Sequence, residues 1–324
     1  MIFTLSFVIR FLFIKVKYYL CITKLRIFHE ITAMKIALFS RPKAELRIDD
    51  IDQIFSEIEK WGLDYTVNEE FAQSVSAQTG RNIPATNRYG RELGEQPADT
   101  VMVCYGGDGT LLEGVHRLCG QAIPVVGINS GHLGFLALAP RSEIAEVFAS
   151  IAESRLSVEA RSILSVEGVT NECNRPLYAL NEVAVQRLGA TMISVETHID
   201  GKYTSTTNGD GIIVSTPTGS TAYSLSAGGP IIAPTCHCTV LTPLSPHNLT
   251  MCPIVVPDTS LIELHIRTRS NIASISVDNR TFEVQDNTVL RIKTAERKIL
   301  LAVPHNISFY DTLRNKMMWG VDVR

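Results

Sequence analysis

The stretch Val101-Met102-Val103-Cys104-Tyr105-Gly106-Gly107-Asp108-Gly109-Thr110 decides the fold. Its first five residues form a continuous apolar run, as expected of a strand covered on both faces of a sheet. Leu111, Leu112, Val115 and Leu118 follow at helical spacing. A buried strand, a glycine turn and a helix make one unit of a parallel α/β sheet. The same alternation extends in both directions. Residues 36–39 read as a strand. Ile51, Ile54, Phe55 and Ile58 mark a helix that Gly62 would stop. Residues 63–67 read as a strand, and the polar residues 69–98 as loop or short helix. Residues 124–128 are the next strand. Ile144, Val147, Phe148 and Ile151 mark a helix with Ser142 as its N-cap.

Beyond about residue 155 the texture changes. Residues 162–169, 194–203, 211–216, 260–266, 272–277, 281–284, 289–292 and 299–303 have strand character. Turn signals such as Asp200-Gly201 and Asp286-Asn287 separate several of them. Residues 309–319 are apolar and basic and read as a helix. The pattern predicts an N-terminal Rossmann-like α/β domain and a C-terminal all-β, sandwich-like domain. The α/β domain takes residues 34–145 plus 304–324, and the β-rich domain takes residues 146–303.

Of the 324 residues, 45% are hydrophobic and 19% charged, which suits a folded chain. The net charge of −3 offers no basic surface for nucleic acid. Seven cysteines, odd in number and irregular in spacing, fit a reduced cytoplasmic compartment better than a disulfide framework. Residues 1–33 are apolar but interrupted by Arg10, Lys15 and Lys17. That spoils both a membrane span of about 20 residues and a signal peptide. We read them as an extension outside the fold, with Met34 opening the functional chain; a membrane-surface anchor is the rival.

Gly106–Thr110 would sit where a strand hands over to a helix. Backbone N–H groups there are unpaired and favour phosphate oxygens, and glycines let those oxygens come close. Neither a dinucleotide fingerprint nor a Gly-x-x-x-x-Gly-Lys phosphate loop is present. A carboxylate in such a loop is awkward, since two negative groups about 4 Å apart repel by about 4 kcal/mol at intermediate dielectric. It makes sense as a base for a nucleophilic hydroxyl or as a partner of magnesium; the bland alternative is a capped turn. The block at residues 208–230 is rich in Ser, Thr and Gly, and its Tyr223 can stack on a base or hydrogen-bond. Asn181-Glu182 can accept from the two hydroxyls of a ribose, although a solvated strand end would look the same.

Together these blocks resemble the NAD kinase family. The matching pieces are Gly106 to Thr110, Gly127-Ile128-Asn129-Ser130-Gly131-His132-Leu133-Gly134-Phe135-Leu136, Asn181-Glu182, and Gly209 to Pro230. Pro246-His247 before Pro253-Ile254-Val255 also fits, as does Phe309-Tyr310-Asp311-Thr312-Leu313-Arg314 with Trp319-Gly320. The resemblance implies transfer of a phosphoryl group from ATP to the 2′-hydroxyl of the adenosine ribose of NAD. A divalent cation such as Mg2+ would be the cofactor, with no residue assigned as its ligand. It implies Asp108 as the base, with Gly109 beside it at the phosphates, and Asn181 and Glu182 on the dinucleotide. Asp210 would contact the nicotinamide end or a ribose. Thr221, Ala222, Tyr223 and Ser226 would line the adenine and ribose pocket, with Ser224 and Leu225 in the same cofactor-binding segment. It further implies a C-terminal segment packed back on the first domain and a cytosolic homodimer or homotetramer, with no membrane or nucleic-acid partner. The sequence departs from the family where many relatives carry a basic residue and Glu113, Thr191, Asn208 and Cys252 stand here. It departs again at Asn279-Arg280 after Asp278.

Two rivals share parts of this pattern. A lipid kinase would share the Gly-Gly-Asp-Gly loop but not the block at 209–230. A non-catalytic NADP-binding module would bind without consuming ATP. Cys236-His237-Cys238 is too tightly spaced for an ordinary zinc pair, and no Gly-x-Ser-x-Gly elbow supports a serine hydrolase.

Overall fold

The computed structural model describes residues 35–42, 46–131, 134–169, 176–303 and 307–320. Residues 1–33, Met34 and the His132-Leu133 pair of the family-like motif lie outside these. The first part of the chain alternates as predicted. Strands β1 (Lys35–Phe39), β2 (Asp64–Asn68), β3 (Arg88–Tyr89), β4 (Thr100–Tyr105), β5 (Val125–Asn129) and β6 (Ala139–Pro140) are interleaved with helices. The helices are α1 (Ile48–Trp61), α2 (Glu69–Thr79), α3 (Asp108–Arg117) and α4 (Ile144–Ala152). Five strands run parallel in the order β3-β2-β1-β4-β5.

Alternation along the strands separates two apolar layers. Ile36, Leu38, Val101, Val103, Val126 and Ile128 meet α1, α2 and α4 on one face. Ala37, Phe39, Met102, Cys104 and Val125 meet Leu111, Leu112 and Val115 of α3 on the other. Gly62 ends α1 in the left-handed conformation, as its position suggested.

One local expectation is refined and one fails. Residues 69–98 hold the short helix and loop expected of them, with α2 occupying eleven. Asn68 caps it, and it buries only Phe71, Ala72 and Val75, a stripe too thin to show through its polar residues. Ser142 is not the cap of α4. A 3-10 turn at Arg141–Glu143 intervenes, and Glu143 takes the cap position without a side-chain bond.

The rest is β-rich. Strands β7 (Ser157–Glu167), β8 (Leu177–Ala179), β9 (Glu182–Arg187), β10 (Ile193–Ile199), β11 (Lys202–Gly209) and β12 (Gly211–Ser215) precede a short helix, α5 (Tyr223–Ser226). Then come β13 (Cys238–Leu244), β14 (Ile254–Pro257), β15 (Ile262–Thr268), β16 (Ile272–Val277), β17 (Arg280–Gln285), β18 (Val289–Val303) and a final helix, α6 (Phe309–Met317). Strands β14-β13-β12-β9-β16-β17 form a six-stranded sheet. Strands β11-β10-β15-β18, with β7 and β8, extend the parallel sheet instead of closing a second one. The two sheets enclose one apolar layer, in which Val183, Val185, Ile212 and Val214 meet Val195, Leu264, Ile266 and Ile292.

Strand β18 joins the halves. It pairs antiparallel with β15 and β7, and parallel with β5 at Leu301 and Val125. Sequence reading split it in two because the stretch Lys293-Thr294-Ala295-Glu296-Arg297-Lys298 carries no apolar alternation. Among the described residues no helix is long and apolar enough to cross a membrane.

Helix α3 lies close on the sheet because residue 114 has no side chain. A Cβ on Gly114 would stand 2.5 Å from Cys104 Sγ and 3.2 Å from Met102 Sδ. Gly114→Val is therefore expected to cost about 1–3 kcal/mol by overpacking, read as a lower urea midpoint, whereas Gly114→Ser on a relaxed helix would cost less. An unchanged midpoint for the valine variant would contradict this packing.

Candidate active site

The parallel strand order reverses beside β1, so the crevice outside the carboxyl ends of β1 and β4 is the topological switch point, where open α/β sheets bind ligands. The chain leaving β4 is Gly106-Gly107-Asp108. Gly106 has φ +148°, and a Cβ there would fall 2.4 Å from Thr110 Oγ1, so the turn into α3 excludes any larger residue.

Asp108 opens α3 and reaches across to the segment after β5. Its Oδ2 accepts from Phe135 N–H at 2.8 Å. Its Oδ1 accepts from Leu136 and Ala137 N–H at 3.0 and 2.9 Å. A Cβ on Gly134 would overlap that carboxylate, which is why this glycine stands in the loop. Asn129 supports the same loop, accepting from Gly131 N–H at 2.8 Å. Residues 134–137, at the end of the family-like stretch, are thus folded around Asp108.

Asn181-Glu182 is held by a residue to which sequence analysis gave no role. The side chain of Asp278 is fully buried, and its carboxylate accepts from the N–H groups of Leu180, Asn181 and Glu182 at 2.9, 2.8 and 3.2 Å. His116 Nε2, on α3, lies 3.4 Å from the same carboxylate. Asp278 therefore ties the helix that begins at Asp108 to the start of β9. Its position in a tight turn, with φ +52°, hid it among ordinary hairpin residues.

Glu182 is 8% exposed, and its Oε2 has no hydrogen-bond partner. Burial, reinforced by the neighbouring Asp278 and partly offset by the Tyr223 N–H, pushes its carboxyl up to about 8. The Ser/Thr/Gly block lies directly on this pair. Thr216 N–H donates to Asn181 O at 2.9 Å, and Thr216 Oγ1 donates to Leu180 O at 2.6 Å. A Cβ on Gly219 would stand 2.1 Å from Asn181 O.

The 3-10 turn Thr218–Thr221 and α5 present the predicted pocket residues unevenly. Tyr223 is exposed, and its hydroxyl accepts from Gln186 Nε2 at 2.8 Å. Ser226 is exposed, while Thr221, Ala222 and Leu225 are half-buried. Ser224 differs from its neighbours, being fully buried with its hydroxyl 2.8 Å from Thr242 Oγ1. It fastens the segment to β13 and does not face a ligand surface.

Asp210 sits where the chain passes from β11 in one sheet to β12 in the other. Arg187 Nε lies 2.5 Å from it and holds its carboxyl below the usual range. Glu113 bonds to Arg117 at 3.0 Å and to Asn279 at 3.2 Å, so the departures from the family pattern at 113 and 279 face each other.

Two cations that sequence analysis left without a role stand at the Asp108 loop. The Arg41 guanidinium, just beyond β1, lies over Gly109, 3.0–3.2 Å from where a Cβ would be. Lys316 Nζ, on α6, lies 3.7 Å from Asp108 Oδ2 and 4.7 Å from the centre of the Phe135 ring. A separate cavity of about 760 Å³ flanks the other end of α3, bordered by His116, Arg117, Tyr178, Arg280 and Arg297. None of the sequence-predicted site residues lines it.

Comparison with known proteins covers both halves. The ATP-NAD kinase N-terminal domain matches residues 38–156, and the ATP-NAD kinase C-terminal domain matches residues 180–303. An NAD kinase of Bacteroides fragilis is 37% identical over 292 residues, covering 90% of this chain and 100% of its own length. One of Cytophaga hutchinsonii is 37% identical over 300 residues, with the same coverage. Among solved structures, yeast NADH kinase complexed with NADH superposes with a TM-score of 0.78 at 21% identity, covering 90% of this chain and 89% of that one. An NAD kinase from Archaeoglobus fulgidus in complex with ATP superposes with a TM-score of 0.66 at 23% identity, covering 88% and 98%.

Glu182 makes stability depend on pH. The unfolded chain ionises it near its ordinary value of 4.5, whereas the fold retains the proton up to about 8. Between those values the folded state binds more proton, so its contribution is full below the lower value and drains away as pH rises through the upper one. The urea midpoint of the parent chain should therefore fall relative to that of Glu182→Gln as pH rises from about 5 to about 8. Parallel curves across that window would refute the shift.

Proposed function

This chain belongs to the NAD kinase family, and we propose that it transfers the γ-phosphoryl group of ATP to the 2′-hydroxyl of the adenosine ribose of NAD, giving NADP and ADP. The observation that carries this reading is the placing of Asp108. It lies at the switch point and is joined through α3, His116 and Asp278 to the Asn181-Glu182 pair.

The chemistry follows from that placing. An ionised carboxylate offers about four lone-pair sites. Three backbone N–H groups take three of those on Asp108, which fixes its plane and leaves acceptor capacity for a ribose hydroxyl. As the bond from the 2′-oxygen to the γ-phosphorus forms, the bond to the β-bridging oxygen breaks. ADP leaves, and the hydroxyl proton passes to Asp108. Such transfers depend mainly on alignment and charge neutralisation. The helix N-terminus after Gly107 supplies N–H groups for phosphate oxygens.

In this reading Asn181 and Glu182 accept from ribose hydroxyls. A protonated Glu182 can also donate to them. Thr221, Ala222, Tyr223, Leu225 and Ser226 border the adenosine, and Asp210 contacts the dinucleotide from the corner between the sheets. Ser224 supports them from behind.

Among the described residues no three or more His, Cys, Asp or Glu side chains converge as a metal cage. This suits a divalent cation carried in on the triphosphate, since Mg2+ is usually held by one or two carboxylates plus substrate phosphates. The ion would neutralise phosphate charge beside Asp108, whose remaining acceptor capacity is kept for the ribose hydroxyl. A cytosolic homodimer or homotetramer completes the proposal, consistent with the free thiols of Cys104, Cys119, Cys236, Cys238 and Cys252.

The test is a coupled assay of the full chain with NAD, ATP and magnesium, with a lipid diol as control acceptor. NADP should form and the diol should remain unmodified. Asp108→Asn should lower kcat by about 10²–10⁴ while NAD binding, measured by calorimetry, persists. Undiminished NADP formation by that variant would remove Asp108 from its assigned role.

A further inference from the structure

We propose that Lys316 and Arg41 are the cations that hold the reacting phosphates on either side of Asp108, Lys316 meeting the transferred phosphoryl and Arg41 the rest of the triphosphate. This rests on the kinase reading above and supplies what that reading lacks. A carboxylate base and a polyphosphate brought together repel. Glu113 stands where the family pattern has a basic residue, and its carboxylate is engaged with Arg117 and Asn279. Side-chain charge that adds to that of the divalent cation would then come from elsewhere in the chain.

It comes from two distant segments. Arg41 follows β1 and the Asp108 loop follows β4, so the two flank the same switch-point crevice. The Arg41 guanidinium lies against Gly109, the residue beside the base in the phosphate-binding turn. No carboxylate is within ion-pair distance of it among the described residues. A planar guanidinium with several N–H donors suits phosphate oxygens.

Lys316 arrives on α6. Ser308 and Asp311 close a reciprocal cap at the start of that helix. Thr312 and Leu313 are buried, and the Phe309 ring packs at a tilt against Phe135 with ring centres 6.3 Å apart. Phe309, Leu313 and Lys316 are spaced to share one helix face. That face lies on the loop whose N–H groups hold Asp108.

At 3.7 Å the Lys316–Asp108 contact is electrostatic and too long for a hydrogen bond. Nζ therefore keeps donors for a ligand. The two side chains remain 36% and 29% exposed, open to an incoming phosphate. The Phe135 ring beneath Nζ restricts where the ammonium can go. In the transfer step the phosphorus changes oxygen partners as written above, and Lys316 offsets charge on its outer oxygens without exchanging a proton.

The test uses steady-state kinetics on the full chain. Lys316→Met should lower kcat about a hundredfold with the Kd for NAD changed by no more than about twofold. Lys316→Arg, which keeps the charge, should recover most of the loss. Arg41→Met should raise KM for ATP about tenfold and leave the Kd for NAD unaffected. Thermal melts of each variant separate charge loss from undocking of α6. The proposal is overturned if Lys316→Met turns over like the parent chain. It is also overturned if Lys316→Arg is as slow as the methionine variant at an unchanged melting temperature, or if the loss lies entirely in NAD affinity. A parent chain that makes no NADP would instead refute the kinase reading, so the two failures are distinguishable.

Discussion

The carboxylate of Asp108 accepting three successive backbone N–H groups is the contact on which the site depends. It locks the turn after β4 to the loop after β5, and the C-terminal helix then docks on that loop. A charge-assisted bond to a backbone N–H is stronger than a neutral one, and three of them hold the carboxyl plane against rotation. A carboxylate positioned by main-chain groups keeps its place when side chains nearby move. The glycine at 134 follows from this contact, because a Cβ there would occupy the space of the Asp108 carboxylate.

Asp278 repeats the device in the β-rich half. It too gathers three consecutive N–H groups, here at the start of β9, and it too is reached from α3. One short helix thus carries Asp108 at its first residue and, near its last turn, His116 beside the carboxylate that holds the start of β9. The charge cost of this design falls on Glu182, which is buried beside Asp278 and holds its proton to about 8. A neutral carboxyl there can both donate and accept, which suits a sugar diol better than a carboxylate alone.

Much of this was legible in the sequence wherever burial writes a period. The strand-and-helix alternation from Ile36 to Ile151 reproduced the parallel sheet, and the glycine-flanked Asp108 was evident from its neighbours. What could not be read has physical reasons. Helix α2 buries only three side chains, and β18 crosses a polar stretch whose pairing with β7 shifts register between Thr294 and Lys298. Nor does any local pattern announce that the β-rich half lengthens the parallel sheet through β18. Within the site, Asp278, Arg41 and Lys316 matter through where they end up, and nothing in their local sequence announces it. Ser224 shows the reverse case, a residue of the right type in the right segment whose hydroxyl faces the interior.

Strand β18 has a mechanical consequence. Fifteen residues of unbroken backbone pass from the β-rich half into the edge of the parallel sheet, hydrogen-bonded to partners from both. A continuous strand of this kind opposes a jaw-like swing of one half against the other. A change of shape in the crevice that leaves this strand intact would be confined to the glycine turns and the docked terminal helix, which do not belong to the sheet.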